Sequence, residues 1–392
     1  MGDYDLFEDD LFQDEDDITS VEDIRNLVVY SRDWTIQTIY DQIEQGNIDL
    51  NPGFQRRNAW NDSKRSKLIE SLLIGYPVPE IVLAEDKKKK KAFIVIDGKQ
   101  RLLTIAGYIN NEKYQYWKSK IPKLTTVNCG ADYHGMDYKS IQTDTDLKRM
   151  FENASLRCTV ISNYSKDDEL YDIFYRLNAG STPLATQELR QALYRGDFSN
   201  YLIEITNEDN IFRKVMGLKD ADNRLRDVEV ILRCMAFLKF ANQYKGNLLK
   251  FLDKVMDYYN KKWQEDADAI KSCKENVENA IKLLSDAFGS LDNVGRKFKN
   301  ALFESRFNRV LLEVEVHYFS KLDKDSISPD QHARFVKLFQ NLCDKDPQFL
   351  ASLEGSTKNL ENYIIRYTKF QRIVEESYNV NLGICPFGNE QG

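Results

Sequence analysis

The spacing of apolar residues changes near residue 197, and this change constrains the fold more than any other feature of the chain. After that point every periodic segment repeats its apolar residues at the three- and four-residue intervals of an amphipathic helix. Before it, helical segments alternate with short β-branched runs. The sequence therefore predicts an acidic, disordered tail at 1–24, an α+β domain at 25–196 and an all-α helical domain at 197–392.

The composition is that of a globular protein. Hydrophobic residues make up 42% of the 392 positions and aromatic residues 12%, which is enough apolar surface for a full core without disulfides or metals. No stretch approaches the roughly 20 apolar residues of a membrane span, and the first residues are acidic where a signal peptide is basic. We therefore expect a cytoplasmic protein that has no membrane partner.

The cysteines and histidines argue against several kinds of site. The 6 cysteines contain no C-x-x-C pair, and the 3 histidines show no His-Glu-x-x-His spacing. A disulfide framework, a zinc hydrolase and a histidine-centred nuclease are therefore disfavoured. We expect reduced thiols, and we expect any metal to be held by carboxylates or carried by a nucleotide.

The charge is distributed unevenly along the chain. The net charge is −7, but residues 1–24 contain eleven acidic residues and no Lys or Arg, so the remainder carries +4. This mildly basic body is compatible with phosphate-bearing ligands, although it falls short of the excess that is typical of a nucleic-acid binder.

Several segments before residue 197 have a recognisable secondary-structure pattern. One helix is predicted over Thr35–Gly46, and a second begins at a cap formed by Asp62 or Ser63 and ends at Gly75. Residues 110–150 look irregular and polar. The predicted strands are Ile48–Phe54, Glu80–Ala84, Ala92–Ile96 and Leu156–Ile161, and further helices begin at Asp167 and cover Pro183–Arg195.

Five consecutive lysines connect the two central predicted strands. Such a run could contact a nucleic-acid backbone, and the binding would then depend strongly on salt. The alternative is a solvated hairpin loop that discourages pairing between sheet edges. The sequence leaves both interpretations open for Lys87, Lys88, Lys89, Lys90 and Lys91.

The pentapeptide Asp97-Gly98-Lys99-Gln100-Arg101 links a predicted strand to a predicted helix. The start of a helix presents backbone N–H groups and the positive end of the helix dipole, so anions and especially phosphates bind there. Lys99 and Arg101 add cationic donors, and Asp97 offers a carboxylate that could hold Mg²⁺ or orient a water molecule. One short element thus supplies both halves of a phosphoryl-transfer site.

A second group of polar residues lies between a predicted strand and a predicted helix, in Pro52–Trp60. Arg56 and Arg57 follow Gln55, and clustered arginines without nearby carboxylates are stabilised by a bound anion. A solvated edge, or an ion pair with a residue such as Glu70, is the alternative for the arginines. Phe54 and Trp60 are expected to pack in the core.

Three separated motifs resemble, in order, those of the GmrS-type family of the ParB/sulfiredoxin-like superfamily. They are Pro52–Trp60, Ile96–Leu102 and Phe174–Gly180, the last followed by Glu188-Leu189-Arg190, and the resemblance covers roughly residues 30–195. The marker of the family is an Asp-Gly-Gln-Gln-Arg turn, and its members include nucleotide-hydrolysing components of bacterial defence against phage and modified DNA. The chain resembles a stand-alone member without the HNH nuclease domain.

The resemblance implies a role for individual residues. Asp97, Gln100 and Arg101 would be the catalytic residues, with Asp97 holding Mg²⁺. Lys99 stands where the family usually has glutamine, which leaves the identity of the nucleotide open. The implied nucleotide- and phosphate-binding residues are Gln55, Arg56, Arg57, Gly98, Lys99, Asn178, Glu188 and Arg190.

The leading hypothesis is therefore a nucleoside triphosphatase in a restriction-like anti-phage system, with a nucleoside triphosphate and Mg²⁺ as its ligands. The alternatives are a nucleotide-gated DNA- or protein-binding clamp with little turnover, and DNA nicking by the same turn. A sulfiredoxin-like repair activity is disfavoured because Cys129, the nearest cysteine in sequence, has no basic neighbour. The expected partners are DNA, a separate effector or nuclease protein, and further copies of this chain.

Overall fold

The computed structural model of the chain describes residues 27–50, 60–125, 131–164, 169–171, 173, 185–355 and 359–387. The acidic tail at 1–24 therefore lies outside the described residues. The chain divides between Leu193 and Tyr194 into two compact units. An α+β unit comes first and a helical unit follows it, so the predicted fold class is confirmed.

The N-terminal unit combines helices with a four-stranded sheet. Its elements are β1 (Val28–Thr35), α1 (Ile36–Glu44), α2 (Asp62–Ile74), β2 (Ile81–Glu85), β3 (Phe93–Asp97), α3 (Lys99–Ile109), α4 (Asn111–Tyr114), α5 (Tyr138–Thr143), α6 (Thr145–Glu152), β4 (Ser155–Ser162) and α7 (Thr186–Leu193). The order of strands across the sheet is β1-β4-β2-β3. Strand β4 runs antiparallel to β1 and parallel to β2, and β2 forms a hairpin with β3.

Local sequence explains where the first two helices begin and end. The side chain of Thr35 accepts a hydrogen bond from the backbone N–H of Thr38 and so caps the start of α1. Asn61 does the same for α2, one residue before the predicted cap, because its amide oxygen accepts from the N–H of Lys64 at 2.9 Å. Gly75 ends α2 at a φ of +75°, as a left-handed C-cap should.

Three parts of this unit differ from the sequence-based prediction. Strand β1 was not predicted, and most of it is exposed at the edge of the sheet. In the described part of the predicted strand Ile48–Phe54, Ile48 forms an isolated bridge to Phe93. The prediction that residues 110–150 are irregular is wrong, because they include helices α4, α5 and most of α6.

The C-terminal unit is almost entirely helical, as predicted. Its helices are α8 (Asp197–Asn207), α9 (Ile211–Val215), α10 (Arg226–Phe240), α11 (Leu248–Phe288), α12 (Arg309–Phe319), α13 (Pro329–Lys345), α14 (Pro347–Glu354) and α15 (Leu360–Tyr378). A short hairpin of β5 (Phe298–Lys299) and β6 (Leu302–Phe303) interrupts the helices. Across the described residues, every helix is too short or too polar to cross a lipid bilayer.

The core of the helical unit contains aromatic rings and a buried ion pair. Phe237 stacks on Tyr363 with ring centroids 5.1 Å apart. The guanidinium of Arg233 donates to the carboxylate of Glu313, and both side chains are 1% exposed. Burial also keeps His317 neutral by lowering its pKa to about 3, while its Nδ1 pairs with the backbone oxygen of Phe237 at 2.9 Å.

Four of the cysteines are buried thiols, and they are distributed over both units. Cys158 lies on β4 of the N-terminal unit, whereas Cys234, Cys273 and Cys343 lie on α10, α11 and α13 of the helical unit. Burial raises the pKa of Cys158 to about 12, and it also raises the pKa of the other three thiols. Because the thiolate is the reactive form, these side chains are inert in the folded protein.

Candidate functional site

The Asp97–Arg101 segment forms the predicted turn from a buried strand into a helix. The first four residues of β3 are buried and Asp97 at its end is half-buried. Gly98 is the N-cap of α3, with a φ of +92° and no side chain to satisfy the first N–H groups of the helix. The start of α3 therefore has the geometry of an anion-binding helix terminus.

The backbone passes through Gly98 with no space for a side chain. A Cβ atom at this position would lie 2.9 Å from Cγ1 of Ile81, and 3.2 Å and 3.3 Å from two guanidinium nitrogens of Arg101. Glycine is therefore required here both by the positive φ and by the close approach of neighbouring atoms.

The guanidinium of Arg101 closes the turn from the side. Its Nη2 donates to Oδ2 of Asp97 at 2.8 Å and to the backbone oxygen of Glu80 at 2.9 Å. The side chain is 13% exposed, and its buried Nε has no partner among the described residues. Arg101 thus links the turn to the residue that precedes strand β2, and it retains donors for a further acceptor.

Asp97 has the properties of a single metal ligand. One of its oxygens is engaged by Arg101, and its side chain is 31% exposed. The described residues contain no group of three or more His, Cys, Asp or Glu that could hold a metal ion. Asp97 therefore fits Mg²⁺ that arrives with phosphates, because this ion commonly takes one or two carboxylates in addition to phosphate oxygens.

The side chain of Gln100 contacts a residue that sequence reasoning missed. The hydroxyl of Tyr116 donates to Oε1 of Gln100, and the Tyr116 side chain is fully buried. Cζ of Arg65, from α2, lies 4.4 Å from the centroid of the Tyr116 ring. Burial raises the pKa of Tyr116, and the charge of Arg65 partly opposes this rise.

Tyr116 is held in place by a segment that folds back onto helix α3. The side chain of Asn111 accepts from the backbone N–H groups of Tyr116 and Trp117, at 2.8 Å and 2.9 Å, and donates to the backbone oxygens of Trp117 and Ser119. A Cβ on Gly107 would lie 2.9 Å from the Trp117 ring and 3.1 Å from Cβ of Tyr116. The absence of a side chain at Gly107 therefore lets this segment pack directly on α3.

Helix α7 packs against β3 and contributes the two predicted residues that follow the third motif. Oε2 of Glu188 accepts from the backbone N–H of Ala185 at 2.7 Å, and the charge of Glu188 raises the pKa of Tyr116. Arg190 is 1% exposed, and its Nη1 donates to Oε1 of Gln187 at 2.6 Å. The carboxylate of Glu188 therefore acts electrostatically on Tyr116, whereas Arg190 is a buried residue of α7.

The other predicted site residues divide between described and undescribed parts of the chain. Gln55, Arg56, Arg57 and Asn178 lie outside the described residues. Trp60, at the end of the first motif, is partly buried against the core as predicted, and Nζ of Lys64 lies 4.5 Å from its ring centroid.

The lysine loop between β2 and β3 is exposed along its whole length. Lys87 lies over the ring of Tyr164 at 3.9 Å, and Lys89 donates to the backbone oxygen of Gly46 at 2.8 Å. Contact with a nucleic-acid backbone stays a prediction for this loop, and so does a solvated role.

Comparison with known protein families identifies the domain that carries this turn. Residues 36–195 match the family model described as "GmrSD restriction endonuclease, N-terminal domain", and this range contains every site residue named from the sequence. The turn therefore lies in a segment that is similar to the N-terminal domain of a restriction endonuclease. No curated protein and no solved structure matches the chain.

Proposed function

We propose that this protein binds and hydrolyses a nucleoside triphosphate as one component of a bacterial restriction-like defence system. The observation that carries the proposal is the start of α3, where the N-cap Gly98 has no side chain that could bond the first N–H groups of the helix. Lys99 and Arg101 follow within the first helical turn, so two cationic residues belong to the same turn as the uncapped N–H groups.

The residues of the turn have distinct proposed roles. Lys99 and Arg101 would hold phosphate oxygens. Arg56, which belongs to the motif Pro52–Trp60 and lies outside the described residues, would join them. Asp97 would hold Mg²⁺, which lowers the negative charge on the phosphates when it is bound. The Asp97–Arg101 ion pair holds both side chains at the turn, so little reorganisation is needed when a nucleotide binds.

Two related functions share the same site. A nucleotide-gated clamp would bind the triphosphate without releasing phosphate, and it would use occupancy to close on DNA or on a protein. A nicking enzyme would cleave DNA in a metal-dependent reaction that requires Asp97. DNA, a separate effector or nuclease and further copies of the chain are the partners we propose, because the matched family is restriction-related.

The test is phosphate release from ATP, GTP, CTP and UTP in the presence of Mg²⁺, with and without duplex DNA. We expect turnover of at least one nucleotide by the wild type. Asp97→Asn and Arg101→Gln should each lower kcat/KM by about 100-fold, since each removes a charge from the turn.

Asp146→Asn is the matched control for these variants. Asp146 also pairs with an arginine on its own helical turn, because Nη2 of Arg149 lies 2.5 Å from its Oδ1, but both side chains are exposed. This variant should retain wild-type turnover. Nucleotide binding that Arg101→Gln abolishes, without phosphate release by the wild type, would favour the clamp. Metal-dependent conversion of supercoiled plasmid to open circles, lost in Asp97→Asn, would favour nicking.

A further inference from the structure

The amide of Gln100 has two chemically different ends, and the fold engages one of them. Oε1 can only accept hydrogen bonds, whereas Nε2 can only donate. The hydroxyl of Tyr116 donates to Oε1. In the described part of the chain, no residue accepts a hydrogen bond from Nε2, so the donor end of the amide is available to a ligand at the turn.

The chemistry around Tyr116 favours this orientation of the amide over the flipped one. A flipped Gln100 would need the Tyr116 oxygen as an acceptor for its Nε2. The guanidinium of Arg65 lies 4.4 Å from the ring centroid, and a nearby cation withdraws electron density from the phenol and makes its O–H a stronger donor. Arg65 is 1% exposed, so solvent screens this effect only weakly.

The position of the hydroxyl is set by the fold and does not depend on a ligand. Tyr116 is fully buried, and Asn111 bonds the backbone N–H groups of Tyr116 and Trp117. The indole N–H of Trp117 also donates to the backbone oxygen of Thr104, one helical turn from Gln100. Helix α3 therefore carries the glutamine and one of these anchors, Thr104, whereas Asn111 begins helix α4.

We infer that Tyr116 is a positioning residue that holds the Gln100 amide with Nε2 facing the turn, so that Gln100 donates a hydrogen bond to a phosphate oxygen of the nucleotide. This inference rests on the proposed function and assigns the chemical role of one residue within it. Gln100 then supplies a neutral donor between the cationic side chains of Lys99 and Arg101. Its amide oxygen, which Tyr116 occupies, does not face the ligand.

The first experiment is a double-mutant cycle on kcat/KM with Tyr116→Phe and Gln100→Ala. Tyr116→Phe removes only the hydroxyl and should lower kcat/KM about five- to tenfold, because the amide loses its preferred orientation. In the Gln100→Ala background the same change should have no further effect. An equal loss in both backgrounds would show that Tyr116 acts through the fold alone, and would overturn the inference.

The second experiment tests which end of the amide faces the nucleotide. In Gln100→Glu, Tyr116 can still donate to one oxygen, and the other oxygen takes the place of Nε2. A carboxylate beside a phosphate is repulsive, so Gln100→Glu should bind the nucleotide more weakly than Gln100→Ala does. If Gln100→Glu instead binds as tightly as the wild type, the acceptor end faces the ligand and the inference is wrong.

Tyr108→Phe is the matched control for the loss of a buried hydroxyl. Tyr108 is 1% exposed, belongs to the same aromatic cluster and donates to the backbone oxygen of Met136 at 3.1 Å, away from Gln100. This variant should unfold at a temperature similar to that of Tyr116→Phe and retain wild-type kcat/KM. A wild type that neither binds nor hydrolyses any nucleotide would overturn the proposed function before any variant is compared.

Discussion

Replacing Gly98 with alanine adds one methyl group where β3 turns into α3, and the structure gives two separate costs for it. The first is the φ of +92°, which costs an L-residue with a side chain about 1–2 kcal/mol. The second is the 2.9 Å approach of the new Cβ to Cγ1 of Ile81, which belongs to a fully buried side chain and cannot move away cheaply. Overpacking of this kind costs about 1–3 kcal/mol.

Gly75 separates the two costs, because it has one of them and lacks the other. It also has a positive φ, +75°, but a Cβ there would meet no atom within 4 Å. Gly75→Ala should therefore destabilise the N-terminal unit by about 1 kcal/mol and Gly98→Ala by about 3 kcal/mol. At roughly 2–4 °C per kcal/mol, these values correspond to falls in Tm of about 3 °C and about 9 °C.

Urea and thermal unfolding of the two variants and the wild type would measure these differences. Gly98→Ala should also weaken nucleotide binding, since the new methyl group would displace the Arg101 guanidinium, whereas Gly75→Ala should not. Equal losses of stability in the two variants would refute the reasoning, because they would mean that the close approach at Gly98 adds nothing to the cost of the positive φ.

Three further predictions concern other parts of the chain. Asn111→Ala removes four hydrogen bonds from a buried segment and should lower the free energy of unfolding by about 3 kcal/mol, measured in urea. The pKa of His317 is about 3 in the folded protein, so its contribution to stability should fall as the pH drops below its unfolded value of about 6.5, by about 1.4 kcal/mol per pH unit. The free energy of unfolding of His317→Gln should therefore fall less steeply with decreasing pH than that of the wild type. His134→Gln, at an exposed position, should show the same pH dependence as the wild type. Lys88→Ala combined with Lys90→Ala should leave the Tm within 1 °C of wild type, about the limit of detection, because neither ammonium group has a partner among the described residues.

Features that depend on neighbouring residues could be predicted from the sequence. A glycine between a buried β-branched strand and an apolar helical repeat indicates a tight turn, and the structure has that turn at Gly98. Glycine after the last apolar residue of a helix likewise predicted the end of α2 at Gly75. In both cases one residue and its immediate neighbours determine the backbone conformation.

Features that depend on distant contacts could not be predicted in the same way. Strand β1 is stabilised by pairing with β4, with Val28 opposite Ser162, and its exposed faces carry no clear alternation of apolar residues. The residues around Tyr116 look like a polar loop because their order comes from the side chain of Asn111 and from contact with α3. The approach of Arg65 to Tyr116 brings together residues from separate segments, and no local periodicity encodes it.

The buried thiols allow the opening of each unit to be timed separately in an unmodified protein. Cys158 is the buried thiol described in the N-terminal unit, and Cys234, Cys273 and Cys343 are those of the helical unit. Each becomes reactive only when the structure around it opens, since burial both shields the sulfur and suppresses the thiolate. Pulsed alkylation followed by mass spectrometry of the cysteine-containing peptides would therefore show which unit unfolds first and whether a bound nucleotide delays the N-terminal one alone.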